Sequence, residues 1–186
     1  MRSSLILLFT AVFSLCSSSI FAQEEDEDKK KSGLYIWGWS LDEDGKKTED
    51  VIVKLFEYEE KVDQLVTTAG GRFDFNLDLD KDYYIRFIKD GYVDKIVWVD
   101  TKEVPEDDRR WSFENGPFKV RMVPEWPGVD FNAFTRPIAK IAYNPLEQLF
   151  VNDRQYTTRI QREVDEIARQ IEKAKDRQAR IQKELD

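Results

Sequence analysis

Between Leu34 and Pro124 the chain alternates apolar and polar residues in short runs, and this fixes what it can fold into. A repeat of two belongs to a strand with one buried and one wet face; a helix needs a repeat near 3.6. The runs cover 34–41, 51–58, 62–68, 71–78, 83–89, 92–99 and 117–123. They are rich in β-branched and aromatic residues, and turn clusters separate most of them. "DEDGKK" (42–47) and "AGG" (69–71) are turn signals, since Gly supplies positive φ and Asp accepts local backbone hydrogen bonds. The clearest run is "GGRFDFNLDLDKDYYIRFIKDGY" (70–92), which reads as a β-hairpin around an acidic turn. Phe73, Phe75 and Leu77 share one face, and Tyr83, Ile85 and Phe87 continue it after the turn. About seven strands with no helix between them predict a mainly β protein, a seven-stranded antiparallel sandwich over 33–124.

The stretch 36–100 resembles the carboxypeptidase regulatory-like domain, a transthyretin-like Greek-key β-sandwich family. The resemblance rests on Gly38 in the first strand, the turn Asp42-Glu43-Asp44-Gly45, and Val51-x-Val53-x-Leu55. It continues through Thr68 to Gly71-Arg72-Phe73-x-Phe75, Tyr84-x-Arg86-Phe87 and Gly91-Tyr92. It implies a binding or spacing module of secreted bacterial envelope proteins and supplies no catalytic residue. Fold likeness leaves function open.

The N-terminus sets the expected compartment. Arg2 precedes an apolar run from Leu5 to Leu15, and Ile20-Phe21-Ala22 offers a cleavage site before Gln23. That is a secretory signal peptide over 1–22, too short and interrupted for a membrane span. Cys16 lies within it, behind Leu15, which does not suit lipidation. The run 23–32, "QEEDEDKKKS", has no apolar residue and reads as a solvated linker. An exported protein, periplasmic or associated with the outer membrane of a Gram-negative bacterium, is expected, with no membrane span after cleavage.

The chain has no His, and its one Cys is Cys16. The mature protein would therefore lack disulfides, Cys/His zinc sites, Ser–His or Cys–His pairs and histidine acid–base chemistry. The net charge is −8, from 29 basic and 37 acidic residues. An acidic body argues against nucleic acid as a partner. Asn76, Asp78, Asp80 and Asp82 alternate like the start of a calcium loop, but Gly at the sixth and Glu at the twelfth position are missing in either register. A solvated turn is expected there, and also for Asp42, Glu43 and Asp44. No cofactor, metal or enzymatic activity is expected.

Two surfaces remain as candidate sites. Tyr35, Trp37 and Trp39 share a face of the first strand, opposite Ile36 and Gly38. An outward aromatic row is either a binding surface, for protein or for flat sugar rings, or is covered by residues 124–150. Phe56, Tyr58 and Trp98 are further outward candidates. Residues 125–151 read as an extended strap broken by Pro137 and Pro145. Its end, Phe150-x-x-Asp153-x-x-Tyr156-Thr157, is similar to connectors of small secreted envelope proteins with this sandwich.

The tail, 152–186, predicts one long helix. Asn152 with Gln155 fits a capping box, with Asp153 as the alternative cap. Ile160, Ile167, Ala174 and Ile181 fall at d of a heptad, and Val164, Ile171, Gln178 and Leu185 at a. This narrow seam is expected either to dock its first turns on the sandwich or to pair with itself or a partner's helix as a coiled coil. The function expected from these features is a non-enzymatic envelope scaffold or adaptor, of the kind that serves as an accessory of a large secretion or motility assembly, that binds partner proteins through the seam and the sandwich surface. The alternative is a carbohydrate- or peptidoglycan-binding module using the Trp face.

Overall fold

The computed structural model describes residues 32–185. The signal-peptide reading of 1–22 and nearly all of the 23–32 linker lie outside the described residues. Those described form eleven strands and one long helix. The strands are β1 (Gly33–Leu41), β2 (Ile52–Glu57), β3 (Glu60–Val66), β4 (Arg72–Leu77), β5 (Asp82–Ile88), β6 (Tyr92–Val93), β7 (Lys95–Asp100), β8 (Ser112–Arg121), β9 (Val123–Pro124), β10 (Ala139–Asn144) and β11 (Leu149–Asn152). The helix, α1, is Arg154–Leu185.

A three-stranded sheet, β4-β1-β8, faces a six-stranded sheet, β11-β10-β7-β5-β2-β3, and a small ribbon pairs β6 with β9. The mainly β sandwich with a C-terminal helix is thus as the alternation predicts, with more strands than seven. The alternation also predicts which faces are buried. Leu34 and Ile36 of β1, Phe73, Phe75 and Leu77 of β4, and Tyr83, Ile85 and Phe87 of β5 all point into one core. Each such aliphatic or aromatic side chain contributes roughly 1.5–3 kcal/mol by leaving water.

Three features depart from the sequence reading. First, β4 and β5 do not form a hairpin. β4 pairs with β1 in one sheet, while β5 pairs with β2 and β7 in the other. The acidic loop arches across the sandwich, with Asp80 at φ 65°. Both strands have an apolar face, and an arch lets those faces meet: Phe73 and Phe87 touch edge to face, with centroids 4.9 Å apart. Second, the sandwich is not wholly antiparallel. β8 lies parallel to β1, and β10 parallel to β7. Both connections are long, as parallel pairing requires.

Third, the strap is not simply extended. It contains a 3-10 turn over Asn132–Thr135 and the antiparallel pair β10–β11, which completes one edge of the larger sheet. Asp153 rather than Asn152 caps α1, its carboxylate accepting from Tyr156 N–H at 2.9 Å. The helix then runs over a second, smaller core. Ile167 and Ile171 pack with Val93, Ala133 and Phe134, and Val164, Trp126, Val129 and Phe131 border them. Arg136 of the strap pairs with Glu163. From Asp176 to Leu185 every residue is exposed.

Candidate interaction surfaces

Tyr35, Trp37 and Trp39 are half-buried on the outer face of β1, the central strand of the smaller sheet. Strand pleating puts them there, because Leu34, Ile36, Gly38 and Ser40 take the core side. The residues of 124–150 do not run over this face. Pro124 to Phe134 lead to the helix core, and β10–β11 extend the other sheet.

The row is framed by charge. The Arg72 guanidinium lies 4.7 Å from the Trp37 ring centroid and donates to the Tyr35 hydroxyl at 2.8 Å. Asp74 sits 3.6 Å from Arg72. The Lys47 ammonium lies 4.6 Å from the Trp39 centroid. Trp37 Nε1–H donates to Glu114 at 2.7 Å, and the two indoles meet edge to face with centroids 5.3 Å apart. A cation therefore covers a face of each indole, and both signs of charge line the rim.

The other outward aromatic with many neighbours, Trp98, is not a free platform. It stacks on Tyr84, meets Tyr156 of the helix edge-on, carries Lys140 at 3.9 Å over its ring and donates to Asp82 at 2.9 Å. Tyr58, by contrast, is well exposed at a positive-φ turn.

The acidic arch is held by cations of this chain. Lys81 reaches Glu57 at 2.8 Å and Asp78 at 3.4 Å, Arg109 pairs with Asp80, and Lys102 with Asp82 at 2.6 Å. The hydrogen bond to Glu57 raises the Lys81 pKa. Burial pushes Asp82 upward, but the bonds from Lys102 and Trp98 outweigh it and hold the carboxyl below its ordinary value. This turn is an ion-paired clasp rather than the solvated turn expected. Among the described residues no cluster of three or more His, Cys, Asp or Glu is placed to hold a metal ion. The turn at 42–45 is likewise tied in: Lys46 N–H donates to Asp42 at 2.8 Å, and Glu43 lies 3.7 Å from Lys175 of the helix.

The structure divides the heptad seam. Ile160, Ile167, Ile171 and Ala174 are buried against this chain, and Val164 packs on the same core. Those five positions are not a free coiled-coil surface. Gln178, Ile181 and Leu185 are exposed, the two apolar ones at 56% and 77%. The sequence could not reveal this, because the surface that receives the helix comes from the strap, whose Trp126, Val129, Phe131 and Phe134 follow no period.

Sequence reasoning also missed Lys95. It is only 4% exposed, on the core-facing side of β7, with its ammonium 3.6 Å from the Phe134 centroid. Burial lowers its pKa to about 7. Nothing in "KIVWVD" distinguishes it from a lysine at a strand end.

No protein-family model and no curated protein matches the sequence. Among solved structures, the chain is similar to catechol 1,2-dioxygenase from Acinetobacter radioresistens, at 12% identity over 56% of each chain, with a TM-score of 0.37. It is similar to 3-chlorocatechol 1,2-dioxygenase from Rhodococcus opacus 1CP, at 12% identity over 53% of this chain and 62% of that one, with a TM-score of 0.34. A C-terminal fragment of the pilus adhesin SpaC from Lactobacillus rhamnosus GG matches at 11% identity over 50% of this chain and 44% of that one, with a TM-score of 0.31. The chain thus spans less than two thirds of these proteins, and likenesses this distant carry no argument about chemistry.

Proposed function

We propose that this chain is a non-enzymatic adaptor of a Gram-negative cell envelope that binds a partner protein through the outer face of the β4-β1-β8 sheet. The observation that carries the reading is the row Tyr35, Trp37 and Trp39, uncovered by the strap and rimmed by Arg72, Lys47, Asp74 and Glu114. Aromatic centres with a charged rim are what protein interfaces are built from. Capped indole faces suit a protein surface better than a sugar ring, which needs a bare face to stack on. Export rests on the signal-peptide reading of 1–22. The resemblance to carboxypeptidase regulatory-like sandwiches supports a binding role, not a reaction. No helix among the described residues is long and apolar enough to cross a membrane.

The test is affinity capture from detergent-solubilised envelopes with three forms of the mature chain. The double substitution Trp37→Ala and Trp39→Ala should lose its partners. A chain ending at Lys175 should keep them, because the buried seam is intact there. The reverse pattern would move the contact to the helix end and sink the proposal. Retention on insoluble peptidoglycan that the Trp substitutions abolish would instead establish the glycan alternative.

A further inference from the structure

The helix goes on for about three turns beyond its last buried residue, and its apolar stripe goes on with it. Ile181 and Leu185 keep the d and a positions but are largely exposed. Beside them lies a recess of about 650 Å³ between helix and strap, walled by Pro124, Trp126, Pro127, Ala174, Gln178 and Ile181. Within its wall the Trp126 indole N–H is buried and has no acceptor.

We propose that the occupant is the same helix end of a second copy of this chain, packed antiparallel. The sequence of the free turns selects this pairing. In an antiparallel pair the a and d positions face each other across a two-fold axis, so Gln178 meets Ile181, and Leu185 enters the recess beside the largely buried Ala174, each twice. The flanking g positions are Arg177 and Glu184, and the same register sets each Arg177 opposite the other copy's Glu184. A parallel pair would set Gln178 against Gln178 and Arg177 beside Gln182, with no opposite charges matched. Antiparallel packing also carries Leu185 of the second copy to the Trp126 recess.

The contact is isologous, as a two-fold requires, so it closes at a dimer. It is short. Standard stable interfaces bury about 1,600 Å², and three turns of helix with a loop bury less. The dimer is therefore weak and concentration-dependent. It does not depend on the aromatic face, which lies on the smaller sheet.

Sedimentation equilibrium of the mature chain over a wide concentration range tests this. A reversible monomer–dimer equilibrium is expected, and Ile181→Asp with Leu185→Asp should abolish it. Arg177→Glu alone and Glu184→Arg alone should each weaken it by about tenfold, because each sets like charges opposite one another twice. The two together restore the pairing and should return the affinity to near its original value. Thermal unfolding of each variant should match the parent, since all four positions are solvent-exposed. A chain that stays monomeric throughout overturns the proposal. A dimer that ignores both charge substitutions overturns the antiparallel register.

Discussion

Replacing Lys95 by Met should stabilise the protein by a few kcal/mol at neutral pH, and the gain should fade as pH rises toward 10. Lys95 alternates with Val97 and Val99 on the core side of β7 and is almost fully enclosed. Its stem packs as a hydrocarbon would, but its ammonium lies over Phe134. The adjacent carboxylate is committed elsewhere: Asp94 is held by Arg86 at 2.6 Å. The ring offsets part of the lost hydration, yet burial still lowers the pKa from 10.5 to about 7.

The sign of the pH dependence follows from proton counts. Between about 7 and 10.5 the unfolded chain holds the Lys95 proton and the folded chain releases it. Stability from this group therefore rises with pH across that window. Below pH 7 both states are protonated, and the full cost of the buried charge is present. Each unit of pKa displacement corresponds to about 1.4 kcal/mol, so the total is a few kcal/mol. Methionine fills the same volume with no charge to bury. Denaturant unfolding of parent and Lys95→Met at pH 6.5, 8.5 and 10 reads the difference directly, because every other titrating group is shared. Parallel stability profiles for the two proteins would show that Lys95 is not buried as a charge.

Lys95 also marks where the sequence stops being legible. Periodicity reports which face of a strand looks inward, and it did so correctly for β4 and β5. In β1, where both faces carry apolar or aromatic residues, it was the resemblance that put Ile36 and Gly38 inward and so turned Tyr35, Trp37 and Trp39 outward. Periodicity does not report which strands are neighbours. The run 70–92 has the same alternation whether β4 and β5 pair in one sheet or face each other across the core. The choice is made by contacts distant in sequence, such as Arg109 on Asp80 and the Thr101 backbone N–H on the Lys81 carbonyl at 2.9 Å. The helix shows the same limit. Its heptads were visible, but whether they met this chain or another depended on a strap with no repeat. Only the point where the strap ends, near Ala174, separates the buried half of the seam from the free half.

Gly38→Ala should cost about 3 kcal/mol or more, among the largest losses available to so small a change. Gly38 lies in β1 between Trp37 and Trp39, on the core side. The register between β1 and β8 slips at this point, from Ile36 opposite Asn115 to Gly38 opposite Phe118. The slip brings the β8 backbone onto the glycine. A Cβ at position 38 would stand 2.0 Å from the Phe118 carbonyl oxygen, 2.9 Å from its carbon and 3.0 Å from the Phe73 ring. Two of those atoms are main chain, paired within the sheet, and cannot rotate aside. The third belongs to the aromatic pair at the centre of the core. Relief requires β8 to move off β1, which opens the sheet that carries the aromatic row. Gly70→Ala is the matched control, since a Cβ there meets nothing within 4 Å. It should change stability by no more than roughly half a kcal/mol. Equal denaturation midpoints for the two variants would mean that β8 does not approach β1 this closely. A loss confined to Gly38→Ala, with a shift in tryptophan emission, would tie the packing of this one glycine to the platform formed by its two neighbours.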